Sequence, residues 1–464
     1  MARDPGGALW WSSALARRLS TAAAEGREGS LSAAWATGRV AAPPKQLYRR
    51  LSALGGQPKG AVARAMNKWL REGNTVRAAD VMKFVKELRK YRRFGHALEL
   101  MEWMDTRGMN MSHSNYAVRL DLICRVEGIQ SADKYFASFP EPAKNLLTHG
   151  SLLNCYCTEK MEEEASAFFD KMKEQKLVSN SLPYNNMMSL YMRVGKPEKV
   201  PFLMEEMAER KIPPNDFTYS ILMNSYAALN DFEAVERTFK EIERSGGDKA
   251  KWSIYSNLAS LYISAGLADK AEGALKKVEE NMDRGDRQCF HFLITLYAGL
   301  GKLEEVNRIW ATLKSTFPLT LNMSYLTMLQ SLSRLDQLDA LERCFHEWES
   351  GCVAYDIRLA NILFCAYLRR DKVAEAEALR KKVAGRGSEP DFRTFEMFID
   401  YYINKQDMAR ALEYMQEAMS KAEKTRVWKP SKSKVDAFSK YFEEEDDAAA
   451  AEEFQQWLKK LEAE

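Results

Sequence analysis

A chain of 464 residues with 24 glycines, 14 prolines and 46% hydrophobic residues is too poor in chain-bending residues for a turn-rich sandwich or barrel, and too apolar for a disordered chain. Its seven scattered cysteines do not make a secreted disulfide framework, and no run of about 18 apolar residues offers a membrane span. The net charge of +3 hides an asymmetry: residues 45–93 hold fourteen Lys/Arg against three acids (net +11), and residues 443–464 hold nine acids against two lysines (net −7). Attraction for a polyanion is therefore concentrated near the start of the mature chain.

Residues 1–44 contain five arginines and no lysine, and are rich in Ala and Ser. They fit a cleaved mitochondrial transit peptide, with processing expected after Leu19 in Arg17-Arg18-Leu19-Ser20-Thr21. Residues 45–77 read as a basic N-terminal helical cap.

From residue 78 onward the chain repeats. An aromatic recurs at Tyr156, Tyr191, Tyr226, Tyr262, Tyr297, Tyr367 and Tyr402, with Leu332 in the remaining slot. Four residues after each of these from Tyr191 onward comes a turn former: Gly195, Asn230, Gly266, Gly301, Asp336, Asp371 and Gln406. Five residues further lies a small or aliphatic residue: Val200, Val235, Ala271, Val306, Leu341, Ala376 and Ala411, with Ala97, Ala132 and Ala165 upstream. Three registers at one period of about 35 residues identify a repeat architecture.

Each unit reads as two helices around that turn. Tyr184, Met187, Met188 and Tyr191 fall on one helical face, and Val200, Leu203, Met204 and Met207 form a second stripe. A hairpin of two short helices cannot bury its stripe alone, so neighbours must stack into an all-α solenoid. The markers give ten units: 78–112, 113–145, 146–180, 181–215, 216–251, 252–286, 287–321, 322–356, 357–391 and 392–426. Pro201 is expected about one turn inside a second helix, where it should kink it. Residues 427–464 read as a divergent last unit, its acidic run Glu443–Asp447 near the turn and solvated.

The period, with Tyr-Asn-x-x-Met opening one helix and Met207-Ala208-Glu209-Arg210-Lys211-Ile212-Pro213-Pro214-Asn215 closing the next, resembles the pentatricopeptide repeat family over about residues 78–426. The segments Thr148–Cys157 and Phe292–Tyr297 are similar to those of a plant mitochondrial subgroup with only standard-length repeats, the P subfamily. The resemblance implies a right-handed superhelical solenoid in the mitochondrial matrix. It also implies binding to single-stranded mitochondrial mRNA or rRNA, in support of organellar RNA processing, stability or translation. The subgroup includes constituents of the plant mitochondrial ribosome, so mitochondrial ribosomal proteins are the alternative partners.

Repeats of this type read RNA one base per unit with two or three side chains. By the resemblance, the fifth and last residues of a unit face the base edge and the second packs on its plane. Carried over, Asn185 with Asn215 and Asn361 with Asp391 are reading pairs, Ser256 with Asp286 suits a purine, and Asn180 is half a pair beside Gly150. Leu147, Leu182 and Phe217 are the candidate base-stacking residues. The other pairs depart from the pattern, so about three units of ten are readable. An isolated Asn at such a place is ordinarily a helix cap; the coincidence of both pair members argues for base reading. Separately, Lys83, Lys86, Arg89, Lys90, Arg92 and Arg93, interleaved with Phe84, Leu88 and Tyr91, form a phosphate-binding candidate.

Catalytic constellations are missing from the sequence: there is no His-Glu-x-x-His and no Walker-type loop. Cys155 and Cys157 are one residue apart, with no second pair nearby, and read as helix residues rather than zinc ligands. No enzyme activity, cofactor, metal, small-molecule substrate or membrane insertion is expected.

Overall fold

The structure, a computed structural model, describes residues 43–54, 59–245, 252–352, 355–386, 389–425 and 428–462. Nearly all of the transit-peptide segment 1–44 lies outside the described residues, as do Lys251 and Arg426. The described residues form twenty-four α-helices and no strand. In chain order they are α1 (Pro43–Ala53), α2 (Ala61–Arg71), α3 (Ala78–Lys90), α4 (Phe94–Thr106), α5 (His113–Glu127), α6 (Ile129–Ala137), α7 (Leu146–Thr158) and α8 (Glu162–Glu174). Next come α9 (Ser181–Arg193), α10 (Lys199–Glu209), α11 (Asp216–Ala228), α12 (Phe232–Ser245), α13 (Trp252–Ser264), α14 (Ala268–Asn281), α15 (Arg287–Gly299) and α16 (Leu303–Thr316). The last eight are α17 (Asn322–Arg334), α18 (Leu338–Gly351), α19 (Ile357–Arg369), α20 (Val373–Gly385), α21 (Phe392–Asn404), α22 (Met408–Thr425), α23 (Lys432–Glu444) and α24 (Ala448–Glu462). None of them is long and apolar enough to cross a membrane.

Two units divide the chain, Met1–Leu261 and Tyr262–Glu464. Within the first, α5 packs on α7, α7 on α9 and α9 on α11; within the second, α15 packs on α17, α17 on α19 and α19 on α21. Each unit is thus a stack of helix pairs whose leading helices lie side by side.

The three sequence registers have three distinct physical jobs. The carbonyls of Tyr156, Tyr191, Tyr226, Tyr262, Tyr297, Leu332, Tyr367 and Tyr402 accept the N–H five residues on, at 2.9–3.0 Å. That bond closes the C-terminal turn of each leading helix and requires a left-handed residue just before the donor. Gly195, Asn230, Gly266, Gly301, Asp336, Asp371 and Gln406 supply it, with φ between 56° and 77°. Lys160 does the same after Tyr156, at φ 61°. The small-residue register is the contact point of the second helices: Ala97, Ala132, Ala165, Val200, Val235, Ala271, Val306, Leu341, Ala376 and Ala411 are all 0% exposed.

Polar ties link successive pairs. The Tyr156 hydroxyl donates to Asp133 and the Tyr297 hydroxyl to Glu279, each at 2.6 Å. Ion pairs join neighbouring turns at Lys196–Glu162, Arg370–Asp336 and Lys405–Asp371; being solvated, each contributes about 0–1 kcal/mol. Pro201 does not kink an interior: α10 begins at Lys199, so Pro201 is in its first turn, where a missing N–H costs nothing.

Candidate nucleic-acid interface

The residues that close each unit start the next leading helix. Asn145, Asn180, Asn215, Asp286, Asp356 and Asp391 are N-caps whose side-chain oxygens accept backbone N–H bonds from the helix they precede. Ser112 does the same for α5. These polar caps satisfy donors that a helix start leaves unpaired. Short polar side chains at this position therefore have a structural reason independent of any ligand.

The two members of each reading pair are brought together, and both pairs, 176 residues apart in the sequence, show one geometry. The Asn185 amide donates to Asn215 Oδ1 at 3.3 Å, and the Thr218 hydroxyl donates to Asn185 Oδ1 at 2.8 Å. The Asn361 amide donates to Asp391 Oδ1 at 3.0 Å, and the Thr394 hydroxyl donates to Asn361 Oδ1 at 2.7 Å. Asn185 and Asn361 are 2% and 4% exposed, whereas Asn215 is exposed and Asp391 half-buried. A strand approaching these helix starts meets the caps first. The fifth-position amides stand behind them, their oxygens already occupied.

Ser256 is fully buried with its hydroxyl unpartnered. It lies in the first unit and Asp286 in the second; Asp286 caps α15 through Gln288 N–H at 2.8 Å. Asn180 caps α9 through Leu182 N–H at 3.0 Å.

The second positions behave differently from the fifth. Leu147 and Leu182 are 52% and 56% exposed, a large apolar area left in water at a helix start. Phe217 is half-buried against the hydrophobic cluster that contains Leu153 and Leu222.

The basic cluster on α3 splits in two. Lys83, Lys86, Lys90, Tyr91 and Arg92 are exposed. Arg89 and Arg93 instead tie helix pairs together: Arg89 donates to the buried Asp121 at 2.9 Å, beside Arg125, and Arg93 donates to the Ser52 carbonyl at 2.6 Å. The patch open to phosphates is thus smaller than the run of charges in the sequence, with Tyr91 in its middle.

Comparison with known proteins places this geometry in a family. A family described as PPR repeat matches residues 147–177 and 217–247, and the PPR repeat family matches residues 179–228. A mitochondrial pentatricopeptide repeat-containing protein of Arabidopsis thaliana is 40% identical over 454 residues, covering 97% of this chain and 89% of its own length. The chain belongs to the pentatricopeptide repeat family. The large ribosomal subunit protein mL101 (rPPR4) of Arabidopsis thaliana is 45% identical over 415 residues, covering 89% of this chain and 84% of its own. The crystal structure of the pentatricopeptide repeat protein PPR10 in complex with an 18-nt psaJ RNA element has 16% identity and a TM-score of 0.48, covering 91% of this chain and 60% of that one.

In the pentatricopeptide units two features escape the sequence reading. Met323, at the second position of its repeat, is 42% exposed, as Leu147 and Leu182 are at theirs; its place at the second residue of a repeat was the available signal. The third residue of a unit is the partner of the previous unit's fifth, as Thr218 and Thr394 show. His291 repeats the link, its Nε2 2.8 Å from the hydroxyl of Ser324. A hydroxyl at position three paired with an amide or imidazole 33 residues earlier was the readable sign.

Proposed function

We propose that this chain is a non-catalytic RNA-binding protein of the plant mitochondrial matrix, held to RNA chiefly through the phosphate backbone. The observation that carries this reading is the contrast between the two candidate contacts. On α3 and in the turn that follows it, Lys83, Lys86, Lys90 and Arg92 are exposed, as is Tyr91, a flat ring 63% in solvent. Cations with an interleaved aromatic give strong, salt-dependent, sequence-tolerant binding. At the helix starts, by contrast, the fifth-position amides are committed to internal bonds.

Two settings fit such a protein. As a constituent of the mitochondrial ribosome, it grips rRNA by the basic helices and ribosomal proteins by the remaining faces. The likeness to mL101 (rPPR4) along most of both chains supports this setting, as does the scarcity of open reading pairs. As a free factor, it supports processing, stability or translation of one transcript; the exposed Asn215 beside Leu182 supports that alternative. The names of its relatives support the mitochondrial address.

Gradient sedimentation of a mitochondrial extract separates the two. Stoichiometric migration with a ribosomal particle at moderate salt is the expected result. Migration as a light species that crosslinks to one transcript selects the free factor. A light species that crosslinks to no RNA ends both.

A further inference from the structure

In most pentatricopeptide units of this chain the fourth residue of the leading helix is aromatic, and in two of them a tyrosine there is bonded to a glutamate on the second helix of the same unit. The Tyr184 hydroxyl lies 3.1 Å from Glu206, and the Tyr325 hydroxyl 2.9 Å from Glu347. The unit at 146–180 departs from this at both positions together. His149 stands where Tyr184 and Tyr325 do, and Lys171 where Glu206 and Glu347 do, 35 and 176 residues earlier respectively. The exchange removes a hydroxyl and a carboxylate, and leaves two nitrogen groups that cannot satisfy each other as a tyrosine and a glutamate do.

A cleft of about 570 Å³ opens at this place, lined by Phe136, Lys144, His149, Lys171, Gln175 and Leu177 among others. That volume is within the range of about 300–1,000 Å³ of small-molecule sites. His149 is 5% exposed. Its ring is stacked on Phe168 (centroids 5.6 Å apart) and meets Phe136 edge-on at 5.0 Å. Nδ1 lies 3.0 Å from the Asn145 carbonyl, which can only accept, so Nδ1 carries the proton. Nε2 then holds a lone pair, and it has no partner among the described residues. Burial pushes the imidazole below its ordinary pKa, and Lys171 and Lys144 act the same way against Glu141, so the ring stays neutral. Lys171 is exposed and its ammonium makes no contact among the described residues; Lys144 is paired with Glu141 at 2.9 Å.

We propose that this cleft binds a nucleotide. Such a ligand supplies what the lining lacks. A ribose hydroxyl or base N–H donates to the His149 lone pair, and a phosphate meets the Lys171 ammonium and shares that of Lys144 with Glu141, a carboxylate that also lines the cleft. The apolar wall of Phe136 and Leu177 receives the flat base. An anion without an O–H leaves the His149 acceptor facing negative charge, inorganic phosphate leaves the apolar wall uncovered, and an uncharged sugar or base leaves the Lys171 ammonium unanswered. The ligand must therefore combine a donor and an anion across a nonpolar body. The nucleotide is either free or the 5′-phosphorylated end of an RNA; both carry the same groups. The site stands apart from the cationic patch on α3, and its failure leaves the RNA-binding reading untouched.

Titrating the full chain with AMP, adenosine and inorganic phosphate tests the proposal. AMP is expected to bind at least ten-fold more tightly than either fragment. Combining His149→Tyr with Lys171→Glu rebuilds the pair seen at Tyr184 and Glu206, fills the cleft and is expected to lower AMP affinity at least ten-fold at an unchanged melting midpoint. Lys171→Glu alone, a change at an exposed side chain, carries the test where the double variant does not fold. A 5′-phosphorylated oligoribonucleotide that binds more tightly than AMP, with the same sensitivity to these changes, assigns the site to an RNA end; equal affinity assigns it to free nucleotide. The proposal is overturned by equal AMP binding in wild type and variant, by no AMP binding at millimolar concentration, or by a Tyr- and Glu-bearing peptide that occupies the cleft where AMP does not.

Discussion

Replacing Lys83, Lys86 and Lys90 by alanine and Arg92 by glycine removes the exposed cations of α3 and keeps its fold. Alanine suits a helix interior, and glycine suits Arg92, whose φ is +57°. Each phosphate neutralised on a single strand adds about 0.7 to the slope of log K against log salt, so removing four cations makes the slope shallower by about 2.8. Because that term fades near molar salt, affinity at 0.15 M falls about 200-fold. The assay is anisotropy of a labelled single-stranded RNA across a salt series, with thermal melting as control. Arg89→Ala with Arg93→Ala is the counterpart: it strips one of two guanidiniums from the buried Asp121 and orphans the Ser52 carbonyl. That pair of changes costs about 1 kcal/mol of stability per broken bond with a nearly unchanged salt slope. A slope change below about 1 in the four-site variant, the size expected of a single phosphate, refutes the backbone-grip reading.

The remaining expectations concern the units themselves. Asn185→Ala and Asn361→Ala each remove two hydrogen bonds, one from the buried threonine hydroxyl and one to the cap oxygen, and lower stability by about 1–3 kcal/mol in urea titration. Gly195→Ala, at φ 76°, costs about 1–2 kcal/mol, whereas Lys160→Gly, at φ 61°, is neutral or stabilising in the same titration. Leu147→Ser, Leu182→Ser and Met323→Ser, all at exposed side chains, change stability by less than about 0.5 kcal/mol each; where a base stacks on them, RNA affinity falls by about 1–3 kcal/mol per base. The burial-depressed His149 takes up a proton less readily in the folded chain than in the unfolded one, whose imidazole titrates near pH 6.5. Its contribution is therefore present above about pH 6.5 and lost as pH falls below it. His149→Phe should reduce the decline of the urea midpoint on acidification, and an unchanged decline refutes the assignment.

The solenoid was legible because its markers report backbone geometry that one residue enforces alone. A left-handed turn selects Gly, Asn or Asp at one place, and the close helix approach that follows selects a small or β-branched residue such as Ala or Val. Leu332 in the tyrosine register shows why the pattern tolerates a gap: the closing bond uses a backbone carbonyl, and every residue supplies one. The interface was less legible, because its residues serve two ends at once. Asn215 is the same letter whether it caps α11 or reads a base, and the structure gives it the cap. Arg89 and Lys90 are adjacent cations, yet one reaches Asp121 and the other water. Only the rotation of α3 decides, and composition carries no phase.

The internal bonds of Asn185 and Asn361 bear on how recognition can proceed. For either amide to read a base edge with both donor and acceptor, its oxygen must give up the bond from the fully buried hydroxyl of Thr218 or Thr394, which keeps the cap oxygen of Asn215 or Asp391, 3.0 Å away, as its other acceptor. Giving up that one bond costs about 0.5–1.5 kcal/mol, at or below the gain of about 1–3 kcal/mol from stacking one base. Reading by the fifth residue thus gives up an internal bond in these units before any base contact is gained. The exposed apolar side chains of Leu147, Leu182 and Met323 give up no internal hydrogen bond, and an exposed lysine such as Lys90 reaches phosphates without leaving a buried partner among the described residues. Interactions of that kind hold a strand in place while discriminating weakly among bases, which suits an RNA whose position is fixed by a larger particle better than a transcript to be found among many.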